Sequence, residues 1–459
     1  MKASGQGVKE SGGPVVGFLA GAKFRAGLAT IFGSQVTCAA ISLALEAIYA
    51  RLLGPAGRGQ LGLCLMATAA AAVLGGAGIE VPIAIWAADG KKQVRDWLSS
   101  VVFGGAVGCL LATGLWVATY WLWEPGFLHG ITPGLAVVVA LTIPCNLLFS
   151  YTVALLTGKE RFAGRGKVLI VDQVVNLAVA IALVGLWQRS AAMAGLANAI
   201  GLAIGALLAI FLLRTTLSMK FSVPAAKEYL PKALSLGVRA QAGNVATFFN
   251  YRLDVFIVNY FLDTSQVGLY AIGVLVSEGL WQIPNAIAVA LLPRTARTAE
   301  AGSVPFTCAV VRHVFLIACA SGVAVAALSP YLIPLIFGAR FSPSVSVIWW
   351  ILPGTIALAV GKVMAADLAA REKPEYSSMF AAVALVVTVA LDLLLIPRMG
   401  ISGAALASSA AYLVDTILLG GALVRHLQVS WAALLVPTRE DLSLYRDTWR
   451  RIGALVPAH

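Results

Sequence analysis

The stretch Arg51-Leu-Leu-Gly-Pro-Ala-Gly-Arg-Gly-Gln-Leu-Gly62 has a counterpart in the second half of the chain, Tyr260-Phe-Leu-Asp-Thr-Ser-Gln-Val-Gly-Leu-Tyr-Ala271. With Gly59 laid over Gly268, each stretch is a short polar turn between two long apolar segments. The spacing of 209 residues is close to half of the 459-residue chain. Two similar halves in a membrane protein usually surround a central pathway. This repeat therefore predicts the architecture of a transporter.

The composition predicts that most of the chain lies in a membrane. Hydrophobic residues make up 59% of the chain and charged residues 12%, with a mean hydropathy of +0.88. A soluble domain carries about 25% charged residues. The net charge of +12 is spread between apolar stretches rather than gathered in one patch, so we expect no nucleic-acid partner. The cysteines and histidines lack metal-ligand spacing, so we expect neither a metal nor a cofactor.

Twelve apolar stretches are long enough to cross a bilayer as helices, which requires about 20 residues each. They lie near 27–50, 62–88, 98–122, 134–157, 168–187, 192–213, 236–262, 267–291, 310–337, 346–370, 377–396 and 402–424. The predicted fold is thus all-α: a polytopic membrane protein with twelve transmembrane helices in two six-helix lobes that are parallel repeats.

The distribution of Lys and Arg predicts the orientation, because translocated loops carry few of them. Of the 33 Lys and Arg residues, 26 fall on one side of the predicted topology and 5 on the other. Only Arg252 and Lys362 fall inside predicted spans. We therefore expect both termini on the cytoplasmic side of a cell membrane. No secretory signal peptide is evident in the polar, Gly-rich first 26 residues.

The predicted organisation has five parts. They are a cytoplasmic tail (1–26), an N-lobe of spans one to six (27–213), a linker (214–235), a C-lobe of spans seven to twelve (236–424) and a second tail (425–459). In the second tail, Thr438 is suited to cap a helix that mixes apolar and basic residues. Such a helix would lie on the inner membrane surface; a disordered tail is the alternative.

Several short motifs resemble those of the polysaccharide flippases, in the same order along the chain. Arg51-Leu-Leu-Gly-Pro55 is similar to the turn that closes their first span, and Asn250-Tyr-Arg-Leu-Asp254 to their seventh span. Leu335-Ile-Phe-Gly-Ala-Arg-Phe341, Leu395-Ile-Pro397 and Gly403-Ala-Ala-Leu-Ala407 resemble the pattern of spans nine to twelve. The similarity covers roughly residues 25–425.

This resemblance implies an O-antigen or exopolysaccharide flippase of the multidrug/oligosaccharidyl-lipid/polysaccharide exporter superfamily. Such proteins move undecaprenyl-pyrophosphate-linked saccharides across the bacterial inner membrane by alternating access. The implied partners are the lipid-linked oligosaccharide, membrane lipid, and Na⁺ or H⁺ as a coupling ion. A glycan polymerase or an export protein is left open as a further partner.

Arg252 in span seven is the first candidate to contact the substrate. A planar guanidinium can bind a lipid pyrophosphate through two hydrogen bonds. An ionised side chain inside a span is costly in free energy unless it binds a ligand or pairs with an opposite charge. Asn244 lies on the same stripe of span seven, and Lys362 in span ten is the second candidate cation. The alternative is that Arg252 pairs with Glu278 or Asp415 as a structural ion pair.

Polar residues of span eight are candidates to line the pathway. Glu278, Gln282 and Asn285 follow one another at helical spacing, interrupted by Pro284. A broken helix with polar residues is tolerated where it lines a watery cavity. Hydrogen bonding between helices is the alternative reading.

Three carboxylates of the C-lobe are candidates for ion coupling. Asp254, Asp392 and Asp415 lie in spans seven, eleven and twelve. They could meet as oxygen ligands of a cation, or one of them could bind a proton, because burial disfavours the charged form. The alternatives are a solvated Asp392 near the outer interface and an Asp415 that bonds a neighbouring helix.

The sequence predicts no enzyme, because no outward-facing loop exceeds about a dozen residues or carries an acidic or His cluster. Two other functions stay open. One is a cation-coupled multidrug exporter of the same superfamily, and the other is a membrane-embedded glycan polymerase or ligase.

Overall fold

A computed structural model describes residues 22–89, 94–123, 126–214, 223–281, 284 and 303–438. The secondary structure in these ranges is helical. Nine of the described helices are long and apolar enough to cross a membrane. The prediction of an all-α, multi-pass membrane protein is therefore confirmed, whereas the count of twelve spans stays a prediction.

The first helix, α1 (Ala22–Gly75), is broken at the turn that opened the sequence analysis. Gly54 has φ 68° and ψ −176° inside this helix, a conformation that suits a residue without Cβ. Pro55 follows and lacks the N–H that a continuous helix would need. α1 therefore runs through the first predicted span and into the second, and the break lies between the two.

The remaining helices of the first half follow with short connections. They are α2 (Glu80–Asp89), α3 (Val94–Trp123), α4 (Pro133–Gly158), α5 (Phe162–Ala180) and α6 (Ala191–Leu213). A π-helical segment, Ile181–Trp187, extends α5. Thr132 and Ser190 cap α4 and α6 by accepting hydrogen bonds from backbone N–H groups, which places these helix starts at short polar turns.

The second half has seven described helices. They are α7 (Val223–Phe261), α8 (Thr264–Glu278), α9 (Ser303–Phe337), α10 (Ser344–Ala370), α11 (Glu375–Met399), α12 (Ile401–Leu427) and α13 (Trp431–Leu435). Within the predicted span 267–291, the regular helix α8 stops at Glu278 and a 3₁₀ turn covers Gly279–Trp281. Pro284 accounts for this, since its ring crowds the carbonyl of residue 280 and it offers no N–H.

Within each half, one helix packs between two others. In the first half α6 contacts α4 and α5, and in the second half α12 contacts α10 and α11. Gly354 of α10 lies against the backbone of Ser409 in α12, and its N–H donates to the Ser409 Oγ at 2.8 Å. Small residues of this kind let membrane helices approach closely and gain van der Waals contact.

The two repeated glycines touch each other where the halves meet. A Cβ at Gly59 would overlap the Thr264 carbonyl and approach the Gly268 nitrogen, and a Cβ at Gly268 would overlap the Pro55 carbonyl and approach the Gly59 nitrogen. We call this the reciprocal glycine contact. Nearby, Arg51 donates hydrogen bonds to the carbonyls of Leu335 and Ile336 at the end of α9.

A second contact between the halves lies toward the Lys- and Arg-rich end. Gly78, at φ 65°, lies against the backbone of Gly237, and Gln241 Nε2 donates to the Val73 carbonyl at 2.6 Å. The rings of Trp86 and Tyr229 meet edge to face with centroids 5.7 Å apart. The halves are therefore in contact near both ends of the spans.

Some predictions fall outside the described residues. These are the N-terminal tail up to residue 21, residues 215–222 of the linker, Gln282 and Asn285, and the predicted amphipathic helix beyond residue 438. The boundaries of the two lobes stay predictions.

Candidate functional site

Arg252 forms a bidentate ion pair with Glu278 across α7 and α8. Its two terminal nitrogens donate to the two carboxylate oxygens, each at 2.9 Å. The Arg252 side chain is 28% exposed and that of Glu278 is 16% exposed. The sequence left two hypotheses for Arg252, contact with the substrate or an ion pair with a carboxylate. In this structure Arg252 forms the ion pair with Glu278. The pair is partly exposed, and the arginine is its more exposed member.

Lys362 of α10 lies over two aromatic rings beside this pair. Its Nζ is 4.6 Å from the centroid of the Trp281 ring and 5.5 Å from that of Tyr251. Both distances suit a cation–π interaction. Tyr412 completes an aromatic cluster, with ring centroids 5.7 Å from Tyr251 and 6.0 Å from Trp281. The rings stabilise an ammonium at membrane depth without pairing it directly to a carboxylate.

Asn244, another predicted substrate residue, lies apart from this cluster. Asn244 is exposed and donates to the Gln241 Oε1 at 3.2 Å. It precedes Arg252 by eight residues, which is roughly 12 Å along a helix. Gln282 lies outside the described residues. The structure therefore brings together Arg252, Glu278 and Lys362 from the predicted set.

Asp254 faces a different set of partners from Arg252, although the two residues are close in sequence. Its carboxylate accepts hydrogen bonds from the Tyr270 hydroxyl at 2.5 Å, the Ser408 Oγ at 3.1 Å and the Val255 N–H at 2.7 Å. Asp254 is 2% exposed. These bonds join α7, α8 and α12 around one buried carboxylate.

Asp392 of α11 is fully buried, and it follows Thr388 by four residues, as Asp254 of α7 follows Asn250. The two carboxylate oxygens of Asp392 have no hydrogen-bond partner among the described residues. One turn earlier, Thr388 donates to the Asn250 Oδ1 at 3.3 Å and so ties α11 to α7. The idea that Asp392 is solvated near the outer interface is therefore wrong. A buried carboxylate with two unpartnered oxygen atoms, close to a second buried carboxylate, could hold a small cation or a proton.

Asp415 does not join this pair of carboxylates, which corrects the prediction of a three-carboxylate site. It lies seven residues after Ser408 on α12, which is roughly 10 Å farther along the helix. The charge of Lys362 acts on the Asp415 carboxylate. Within the described ranges, no group of three His, Cys, Asp or Glu side chains could hold a metal ion. Asp415 thus belongs with the Arg252–Glu278 pair and Lys362.

The sequence did not reveal a buried cation in the first half. Arg58 lies in the stretch predicted to be a short polar turn, yet it is 5% exposed and its Nε donates to the Glu46 carboxylate at 2.6 Å. Twelve residues of straight helix would separate the two by roughly 18 Å. The break at Gly54 brings them together. The Gly54-Pro55 dipeptide is the sequence signal that could have indicated this break.

The deeper polar residues of the first half form a polar network that contains one carboxylate and two separate sets of hydrogen bonds. Tyr49 donates to the Asn176 Oδ1 at 3.2 Å, and Asn176 donates to the Asn198 Oδ1 at 3.4 Å. Asp172 accepts from Gln173 at 3.2 Å and has a second oxygen without a partner in the described part of the chain. This network contains no Lys or Arg.

Solved structures of membrane transporters have the same fold. The lipid II flippase MurJ in an inward closed conformation superposes with a TM-score of 0.69, covering 87% of each chain at 14% identity. An outward-facing MATE family multidrug resistance transporter of the MOP superfamily gives 0.61, covering 91% of this chain and 98% of that one, at 14% identity. A MOP superfamily transporter from Pyrococcus furiosus gives 0.62, with 92% and 99% coverage at 13% identity.

Sequence comparison identifies the family. No curated protein matches the chain, but the sequence model of the polysaccharide biosynthesis protein family matches residues 48–346. That range is more than half of the chain, and it includes Arg58, Arg252, Asp254 and Glu278. The chain therefore belongs to the polysaccharide biosynthesis protein family, on a fold that resembles those of MurJ and the MATE transporters.

Proposed function

We propose that this protein flips undecaprenyl-pyrophosphate-linked oligosaccharide units across the bacterial inner membrane for the synthesis of a cell-surface polysaccharide, an O-antigen or an exopolysaccharide. The observation that carries the proposal is the Arg252–Glu278 pair, a bidentate pair at membrane depth that is partly open and lies beside Lys362. The family match points in the same direction. The protein acts as a transporter and not as an enzyme.

The substrate would exchange partners with this ion pair. A pyrophosphate presents oxygen atoms in the geometry that a guanidinium grips bidentately, so it can replace the Glu278 carboxylate on Arg252. Lys362 lies beside the pair, over the Trp281 ring, and its positive charge would balance Glu278 once Arg252 is taken. Charges at membrane depth stay paired throughout this exchange, which avoids the cost of an isolated ion in the membrane.

Transport would proceed by rocking of residues 27–213 against residues 236–424. The reciprocal glycine contact and Arg51 close the Lys- and Arg-poor end. The Gly78–Gly237 contact and Gln241 close the opposite end. Alternating access requires that these two sets of contacts open one at a time. Both termini would lie in the cytoplasm.

The direct test uses purified protein in liposomes with a fluorescent pyrophosphate-linked oligosaccharide lipid. A membrane-impermeant quencher then reports how much lipid reaches the outer leaflet. We expect flipping by the wild type that soluble inorganic pyrophosphate inhibits, and no uptake of a lipophilic cationic dye. Dye transport without lipid flipping would instead identify a multidrug exporter.

A deletion strain tests the same proposal in cells and separates it from an enzymatic role. We expect lipid-linked repeat units to accumulate on the cytoplasmic side. Units that are translocated but left unpolymerised would indicate a polymerase or ligase, and unchanged glycan would count against flipping. A glycan polymerase is the expected downstream partner.

We also propose that Asp254 and Asp392 form the site that binds a coupling cation or proton. Support comes from the spare oxygen atoms of Asp392 and from the hydroxyl groups around Asp254. Asp254→Asn should remove any dependence of flipping on Na⁺ or on a pH gradient. Asp172→Asn, in the network of the first half, is the matched control and should retain that dependence. An ion response that survives Asp254→Asn would refute this site.

A further inference from the structure

An apolar groove of about 550 Å³ lies between α1, α3 and α7. Phe249, Leu253 and Phe256 of α7 form one wall at helical spacing, and small residues that include Ala70 of α1 and Ala118 of α3 lie opposite. Leu122, which also lines the groove, is 74% exposed. On a membrane-spanning helix, such exposure means contact with lipid. The groove is therefore open to the hydrocarbon layer.

The groove offers hydrocarbon surface and little else. Two of its lining side chains are polar, and both have partners in the protein. The Thr119 hydroxyl donates to the Leu115 carbonyl at 2.7 Å, and the Trp116 indole N–H donates to the Ala136 carbonyl at 3.0 Å. A headgroup would find no hydrogen-bonding partner in these two side chains, whereas a hydrocarbon chain would gain van der Waals contact along the whole groove.

A second groove of about 550 Å³ lies between α1, α8 and α9. Seven pairs of lining residues from the two grooves are 209 residues apart, the spacing of Gly59 and Gly268. They are Ala67 and Val276, Ala70 and Gly279, Leu115 and Ala324, Trp116 and Val325, Thr119 and Leu328, Phe127 and Ile336, and Leu128 and Phe337. The grooves thus occupy equivalent places in the two halves. They differ in chemistry, because Glu278 lines the second groove, whereas the first contains no charged residue.

The apolar groove adjoins the charged cluster along α7. Leu253 lines the groove, and the preceding residue, Arg252, pairs with Glu278. A molecule with a pyrophosphate and a long hydrocarbon chain matches this arrangement of one charged and one apolar site. We propose that the groove between α1, α3 and α7 binds the polyprenyl chain of the transported lipid while its pyrophosphate contacts Arg252. This inference rests on the proposed function.

The contribution of the groove should be moderate in size. A chain that leaves the bilayer gains no hydrophobic free energy, because lipid tails are as apolar as the groove. What it gains is close contact with the aromatic and small side chains. Losing on the order of ten close carbon–carbon contacts corresponds to about a tenfold effect on binding.

The test fills the groove and compares two substrates in the liposome assay. Ala70→Trp and Ala118→Trp place an indole in the groove, at positions that are half-buried and exposed. Ala382→Trp, at an exposed position of α11 that lines neither groove, is the matched control. The substrates carry the same pyrophosphate-linked oligosaccharide on either an undecaprenyl chain or a two-isoprene chain.

We expect the groove variants to flip the long-chain lipid about tenfold more slowly and the short-chain lipid at the wild-type rate, which also reports correct folding. Ala382→Trp should leave both rates unchanged. Equal losses for both lipids, or no loss for the long-chain lipid, would overturn the chain-binding groove and leave the flippase proposal standing. Failure of the wild type to flip either lipid would overturn the proposed function itself, and this inference with it.

Discussion

Two arginine–glutamate pairs lie between consecutive apolar segments, one in each half of the chain, and they differ in how open they are. In the first half, the side chains of Arg58 and Glu46 are 7% and 17% exposed and meet through one short hydrogen bond next to the Gly54 break. In the second half, Arg252 and Glu278 are 28% and 16% exposed and meet through two. The exposed fraction of the Arg252 side chain is thus about four times that of Arg58.

This difference separates two uses of the same chemistry. A closed pair beside a break in the backbone holds two helical segments in place. An open pair beside Lys362 and an aromatic cluster can exchange its carboxylate for another anion. Removal of the arginine should therefore affect different properties in the two halves, and the following predictions depend on that contrast.

Arg252→Ala should give the largest effect, a loss of flipping of at least about a hundredfold. Each hydrogen bond to a charged group contributes about 1.5–3 kcal/mol, and two such bonds correspond to two or more factors of ten. The initial flipping rate in liposomes measures this, with protein yield and size-exclusion behaviour as the folding control. Near-normal flipping would remove Arg252 from the substrate site.

Arg58→Ala should instead reduce the stability of the protein by about 3 kcal/mol, because it leaves the Glu46 carboxylate buried without its partner. Denaturant or thermal unfolding in detergent measures the change. Flipping per folded molecule should stay within a fewfold of the wild-type rate. A variant that remains as stable as the wild type but is inactive would reverse the assignment of roles to the two pairs.

Gly59→Ala and Gly268→Ala should each destabilise the protein by a similar amount, about 1–3 kcal/mol, because each new methyl group overlaps a carbonyl of the opposite half. The control is Gly114→Ala, where a Cβ meets nothing within 4 Å. That substitution should leave stability unchanged or raise it by up to about 1 kcal/mol. A neutral effect at either repeated glycine would show that the halves can separate there without cost.

Lys362→Met should give the smallest effect, a decrease in flipping of about tenfold, in line with the loss of a partly desolvated cation–π contact and one positive charge. Lys362→Arg, which keeps the charge, should recover most of the rate. If Lys362→Met lowered flipping as much as Arg252→Ala, the two cations would have equal roles and the bidentate geometry would not matter.

The features that the sequence revealed are those that a bilayer imposes on short stretches of chain. Spans can be predicted because lipid requires about 20 apolar residues in a row, and Arg252 attracted attention because charges there are costly. An ion pair of Arg252 with Glu278 or Asp415 was the alternative to substrate contact, and the structure shows the pair with Glu278. The repeat at Gly59 and Gly268 was visible because both turns keep the same residue type at the same spacing.

The remaining features depend on how helices lie against one another. Arg58 reaches Glu46 only because the backbone breaks at Gly54, and no local pattern gives the angle of such a break. In the sequence, Asp415 and Asp392 are equivalent candidates for a site with Asp254, because both are carboxylates inside predicted spans. In the structure, Ser408 is the α12 residue that contacts Asp254, and Asp415 lies seven residues farther along that helix. The apolar groove is formed by three helices that are distant in sequence, so its residues share no motif.

The reciprocal glycine contact has a consequence for how such a chain can be assembled. An interface is isologous when both partners use the same surface, so that each contact occurs twice with the roles of the partners exchanged. Two-fold symmetric dimers have interfaces of this kind. Gly59 and Gly268 are such a pair, since each lies against the backbone of the other's turn. In a homodimer of half-length chains, a charge acquired by one subunit would appear in both. Covalent joining of the halves permits an asymmetry that a homodimer could not have, with Arg252 and Lys362 on one side of the axis and the uncharged amides of Asn176 and Asn198 on the other.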